Sequence, residues 1–177
     1  ITPHAAENSA YAQVGLFAVS GVTELVADGV LDGVCRGMTI MAGVLYSVNG
    51  NQLYSWDSLY VPTAIGSILG TGRVQMANNN NKLCIVNTTG EGFVYDSDTT
   101  TLTQITDPAY QLSASVVFKD GYYVFSALDG RTFFNSAIND PLTFDALDFG
   151  TAEINPDLIT GLVVNRNQLF AVGTDTI

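Results

Sequence analysis

The chain has 177 residues, 47% of them apolar and only 13% charged, with six Lys and Arg against seventeen Asp and Glu for a net charge of -11. That apolar share supplies a core for one domain of ordinary size, while the acidity disfavours tight binding to phosphate backbones or anionic membranes, where affinity comes from cations displacing counterions. The charged share is about half the usual ~25%, so little surface is marked by Lys and Glu, which fits a chain packed against copies or partners.

The first residues, ITPHAAENSAYA, hold no basic run ahead of an apolar one, so no export signal is read there. No uninterrupted apolar stretch approaches the ~18–20 residues of a membrane span. The single histidine, His4, falls in this polar stretch, which is expected to be mobile. Residues 1–33 form an N-terminal segment distinct from the remainder of the chain; within it, VGLFAVSGVTELVA predicts a lone hairpin turning at Ser20-Gly21.

From 34 to 177, short stretches of alternating apolar residues end in Asn, Gly or Asp, and segments of helical period are scarce, an all-β signature. The clearest hairpin is GVLYSVNGNQLYSW, where Val44 to Val48 and Gln52 to Trp56 flank Asn49-Gly50-Asn51, a turn chemistry suited to positive φ. The plan recurs in MTIMAGVLYSVNGNQLYSWD, VQMANNNNKLCIVNTTGEGFVYDSD, SVVFKDGYYVFSALDGRTFFNSA and LVVNRNQLFAVGTDTI. First turns at Gly43, Asn80, Asp120 and Arg166 stand 37, 40 and 46 residues apart, the spacing of propeller blades with four short strands each. AIGSI (64–68), TLTQI (101–105) and LTFDALDF (142–149) complete the units, and Asp107-Pro108 and Asn155-Pro156 open new inner strands. The expected fold class is all-β and β-propeller-like: three four-stranded blades near 37–68, 73–105 and 115–149, and an incomplete fourth at 161–177. Closing such a ring takes at least four blades, so the chain reads as part of a longer propeller.

NDPLTFDALDFGTAE (139–153) gathers Asp140, Asp145, Asp148 and Glu153 with no basic residue among them. With Asp120 and Asp129 they could supply two carboxyls roughly 5–9 Å apart, as in propeller glycosidases or lyases that cut bacterial surface polysaccharide. The opposing reading makes Asp120-Gly121, Asp129-Gly130 and Asn139-Asp140-Pro141 turns and LTFDALDF a blade strand. Asp148 then shares a face with Phe144 and belongs at a strand end or in a hydrogen bond. The only Trp, Trp56, sits on a strand, which leaves a sugar site short of stacking aromatics.

A Ser-His-Asp or Cys-His device would depend on His4 alone, and zinc catalysis lacks ligands. Cys35 and Cys84 read as two buried free thiols. Asp96 and Asp98 in YDSDTTT open like a calcium loop but lack its Gly and closing Glu, so a β-turn is expected. GSILGTG (66–72) has neither Lys-Ser nor Lys-Thr and starts no helix, against a phosphate cradle. Asn87-Thr88-Thr89 matches a glycosylation sequon, and with no export signal read in the sequence the match is expected to be accidental. Tyr122, Tyr123, Phe125, Phe133 and Phe134 read as blade packing, since no basic groove accompanies them for stacking on nucleic acid. ANNNNK, the kind of loop with which a propeller recognises a receptor or sugar, reads as an ordinary turn. No catalytic, cofactor-binding or metal-ligating residue is expected, and no cofactor.

CRGMTIMAGVLYSVNGNQLYSWD, IGSILGTGRVQMANNNNKLCIVN with GFVYD, LTQITDPAY, VVFKDGYYVFSALDGRTFF and above all NDPLTFDALDFGTAEINPDLITGLVVNRNQLFAVGTDTI succeed one another along the chain. In that order they resemble the packaged-DNA stabilization proteins, also called tail hub or nozzle proteins, of short-tailed bacteriophages. The resemblance runs from about Cys35 to Ile177 and is most specific from Asp140 to Asp175. It implies a structural virion protein of the phage tail, without catalytic residues, built on a β-propeller-like core and assembled in the host bacterial cytoplasm. Six copies would form a ring below the portal and head-to-tail adaptor, meet distal tail proteins and prolong the DNA channel. Packaged double-stranded DNA would be retained until ejection, with no sequence-specific binding and no membrane insertion. Family members are considerably longer than this chain. Low charge suits a subunit buried in an assembly, and acidity suits a duct to which DNA does not adhere.

Overall fold

The computed structural model describes residues 2–5, 14–17, 30–151 and 158–174. Among them every helix or strand element is a strand. Two strands form a unit by themselves: β1 (Thr2–Ala5) and β2 (Val14–Phe17) pair antiparallel, with Thr2 opposite Phe17 and His4 opposite Gly15. His4 thus lies in a strand. Val14–Phe17 pairs back to β1, and the turn expected at Ser20-Gly21 lies outside the described residues.

The second unit repeats one plan. The first sheet contains β3 (Cys35–Met41), β4 (Val44–Asn49), β5 (Gln52–Trp56) and β6 (Pro62–Ser67). The second contains β7 (Gln75–Asn78), β8 (Lys82–Val86), β9 (Gly92–Asp96) and β10 (Thr101–Gln104). The third contains β11 (Ser113–Lys119), β12 (Tyr122–Ala127), β13 (Thr132–Ala137) and β14 (Asp140–Thr151). β15 (Ile159–Asn165) and β16 (Gln168–Gly173) form a two-stranded sheet. Each is an antiparallel meander in chain order, the arrangement short turns permit. The fold is all-β and of propeller type, and its described sheets do not close into a ring.

Turn chemistry explains why the chain reverses where it does. Ala42-Gly43, Asp120-Gly121 and Arg166-Asn167 hold positive φ at both central residues, the backbone that matches strand twist in a two-residue hairpin. Asn80 alone is positive in the β7–β8 turn (φ 75°), where Asn79 Oδ1 accepts from the N–H groups of Asn81 and Lys82.

Stacking follows from alternation. In β8, Leu83 and Ile85 point to the first sheet, where they pack with Met41, Tyr46, Val48 and Leu53; Phe93 and Tyr95 of β9 join them. Cys84, Val86 and Val94 point the other way, against Val116, Tyr123, Phe125 and Phe134 of the third sheet. The second sheet is therefore buried on both faces, which is why KLCIV reads as a continuous apolar run. Each large side chain fully buried in these seams contributes roughly 1.5–3 kcal/mol. Tyr110 closes the second seam: its ring meets Phe125, Phe134 and Phe144 edge-on at 5.3–5.8 Å, and its hydroxyl donates to the Gly90 carbonyl at 2.9 Å.

The seams are also latched by backbone hydrogen bonds from equivalent turns. Ser113 N donates to Gly90 O at 2.9 Å, and Ile159 N to Gly130 O at 2.7 Å. Gly50 occupies the same turn of the first sheet, 40 residues before Gly90. Its carbonyl is taken instead by a guanidinium, that of Arg36.

Candidate functional site

The acidic stretch that raised the question of catalysis folds as the outer edge strand of the third sheet. β14 is twelve residues long, with register shifts against β13 that put Ala137 opposite Asp140, Ser136 opposite Phe144 and Phe134 opposite Phe149. Asp140 and Pro141 already lie in the strand, Pro141 fully buried, so the expected turn is confined to Ile138-Asn139. Phe144 anchors the strand in the aromatic cluster. The shifts break the simple alternation: Asp148 does not share the burial of Phe144 but is exposed, with Asp145, Leu147 and Phe149.

Apart from Asp148, the candidate carboxylates among the described residues are engaged by nearby groups, most of them amides. Asp140 accepts from Leu142 N at 3.2 Å and Thr143 Oγ1 at 2.8 Å, and Asp145 from Leu147 N at 2.9 Å. Asp107 caps its own turn through Ala109 N at 2.8 Å and reaches Phe144 N at 3.2 Å, tying the inter-sheet connection to β14. Asp120 is paired with Lys119. Asp129 accepts from Arg131 N, Thr132 N and the Thr132 hydroxyl, and the Thr132 bonds above all hold its carboxyl below the ordinary range. A carboxyl kept ionised in that way is the opposite of a general acid poised near neutrality. Asp148 makes no hydrogen bond among the described residues and lines two open clefts, of about 460 and 550 Å³. Glu153 and Asn155-Pro156 lie outside the described residues.

GSILGTG has a different use. Arg36, 6% exposed, donates from Nε to Gly72 O at 2.7 Å and from Nη1 to Gly50 O at 2.9 Å and Ile68 O at 2.8 Å. The loop thus aims carbonyl oxygens, not amides, at its occupant, the polarity of a cation cradle, and the cation is a side chain of the same chain. The fork geometry of guanidinium is what lets one group serve three acceptors. No pattern in CRGM announced this.

Other expectations resolve one by one. Asp96 Oδ1 accepts from Asp98 N and Thr99 N, and Asp98 Oδ2 from Asn81 Nδ2, so YDSDTTT is a turn. Asn87 of the sequon is 3% exposed and holds its own turn: Oδ1 accepts from Thr89 N, Thr89 Oγ1 and Glu91 N. Its Nδ2 donates to Leu69 O and Glu91 Oε2. Cys84 is buried, but Cys35 is exposed, contrary to expectation. The register shift between Cys35 and Gly37 and the inward turn of Arg36 leave Cys35 facing out. Tyr123, Phe125 and Phe134 are core, while Tyr122 lies on the opposite, partly open face. Among the described residues, no group of three or more His, Cys, Asp or Glu is placed to hold a metal ion, and no helix is long and apolar enough to cross a membrane.

Stacked four-stranded meanders latched through equivalent turns, with carboxylates engaged in turn and edge geometry, define a protein of the β-propeller class. No curated protein matches the chain. Among solved structures it is similar to the N-terminal domain of Nup159 (TM-score 0.57, 18% identity, 81% of this chain and 40% of that one). It is also similar to BamB from Moraxella catarrhalis (0.57, 16%, 82% and 42%) and to the computationally designed Ika4 protein (0.60, 16%, 88% and 94%). At such identities these likenesses concern the fold alone, and the chain spans about two fifths of the Nup159 and BamB chains. The family model for "Bacteriophage P22 Gp10, beta-propeller" matches residues 3–177, and the chain belongs to that family. It is a bacteriophage structural protein, part of the virion, in agreement with the resemblance drawn from the sequence.

Proposed function

We propose that the chain forms part of the nozzle or hub of a short phage tail, in a ring that extends the DNA channel below the portal and adaptor and retains packaged DNA until ejection. The observation that carries this reading is the family match over residues 3–177. Two physical features support it. Surfaces poor in charge suit a subunit enclosed by neighbours, and a net charge of -11 suits a wall that repels the phosphates it guides. A ring of six copies is what the family resemblance implies.

Electron microscopy of the full-length protein, alone and on tail complexes, tests the reading. A ring coaxial with the portal is expected; a strictly monomeric species absent from tails would refute it.

A further inference from the structure

The loop from Asp57 to Pro62, between β5 and the outer strand β6, holds an apolar tip rigidly in water. Asp57 Oδ1 accepts from Leu59 N at 2.9 Å and Val61 N at 2.8 Å. The Asp57 carbonyl accepts from Tyr60 N at 3.0 Å, and Asp57 N donates to the Val61 carbonyl at 3.2 Å. Tyr60 is held at φ 60°, a costly backbone for an aromatic residue. Yet Leu59, Tyr60 and Val61 are 80%, 56% and 54% exposed. The matching hairpin of the second sheet, Ser97-Asp98-Thr99-Thr100, is polar, so the fold itself does not require an apolar tip. From Ser58 to Gly72 no residue is charged, on a chain of net charge -11. This edge is where two copies can meet without like-charge repulsion.

A counterpart lies two sheets away. The 550 Å³ cleft beside β14 has an apolar floor of Pro108, Ala109, Phe144 and Ala146 and a carboxylate rim that includes Asp107 and Asp145. Leu147 and Phe149, 82% and 55% exposed, continue along the same strand. Such a recess suits tyrosine, an apolar ring tipped by an O–H donor. The second sheet stands between tip and recess, so a chain cannot fill its own.

We infer that the Leu59-Tyr60-Val61 tip of one copy seats in the β14 recess of a second copy, head to tail. The two surfaces differ, so the contact is heterologous and generates a ring when the rotation closes. Three side chains fall short of the ~800 Å² per partner of a stable interface, so the contact continues along β6, where Thr63, Ala64 and Ser67 face solvent. Pro62 and the register shift opposite Leu53 and Tyr54 blunt β6 against sheet extension, and Asp140, Asp145 and Asp148 blunt β14. Docking is therefore by side chains. This inference rests on the ring reading above.

Sedimentation velocity and native mass spectrometry of the full chain test it with two variants, L59S/Y60S/V61S at the tip and A146R in the recess, each checked for unchanged circular dichroism. The parent associates, and each variant alone does so about tenfold more weakly or worse. An equimolar mixture, which restores one tip and one recess, gives a dimer and nothing larger. Variants that associate like the parent, a mixture that stays monomeric, or a monomeric parent overturn the contact. Rings formed by L59S/Y60S/V61S under the electron microscope would remove this contact and leave the nozzle reading standing. Variant-sensitive dimers without any ring would keep the contact and remove the nozzle.

Discussion

Thr132 binds both oxygens of the Asp129 carboxylate: its N–H reaches Oδ1 at 2.9 Å and its hydroxyl reaches Oδ2 at 2.6 Å. The hydroxyl bond is the largest cause of the lowered Asp129 pKa, followed by the backbone bond. A depressed folded-state pKa gives stability that is present above the unfolded value and lost as pH falls through the folded one. Thr132→Val is expected to lower stability by about 1 kcal/mol or less at pH 7, since Asp129 is exposed to solvent screening. The deficit should begin to shrink as pH falls below the ordinary aspartate value of about 4, where the unfolded chain takes up the proton first, and vanish once the folded carboxylate is protonated as well. Thermal melts of parent and variant at pH 7 and pH 3 measure both.

Arg36 serves the carbonyls of Gly50, Ile68 and Gly72 at the seam between the first and second sheets. Arg36→Lys keeps the charge but loses the planar fork, leaving at least one buried acceptor unpaired at a cost of about 1–3 kcal/mol. Arg36→Met leaves all three and should cost more. Urea denaturation curves rank the two, and equal midpoints for parent and R36M would contradict the clamp.

Burial raises the Cys84 thiol far above the usual range, whereas Cys35 is exposed. A thiol reagent at pH 8 should therefore modify one cysteine in the native protein and both in denaturant. Cys35→Ser should abolish the native reaction and leave the second intact.

Asn87 gives its side chain to five hydrogen bonds within the β8–β9 turn and to Leu69. Asn87→Ala is expected to destabilise by roughly 2–4 kcal/mol, since it strands several buried partners. The folded protein should accept no glycan at this site when incubated with an oligosaccharyltransferase and its lipid-linked donor. Intact-mass measurement and a denaturation curve check the two statements.

Much of the architecture was legible because turns carry their own chemistry. Asp120-Gly121 tolerates positive φ, and the reversal falls there. Short apolar runs such as LCIV and YYVF, bounded by turn residues, gave strands without knowledge of neighbours. β14 was harder. Its register shifts decouple position from face, so period two mispredicts Asp148. Arg36 was missed for another reason: its partners are backbone carbonyls 14 to 36 residues away, which leave no trace in residue type. The glycines at 50, 90 and 130 did leave one, a recurrence of 40 residues in the turn between second and third strands. The exposed tip at 59–61 was unreadable in advance, since apolar residues beside a strand look like core until burial is known.

The double-sided β8 strand has a mechanical corollary. Leu83 and Cys84 are consecutive, yet they belong to different seams. A shift of that backbone cannot loosen one seam without disturbing the other, so the three sheets are expected to melt as one cooperative block, with strain applied at either flank passing across the middle sheet to the opposite one.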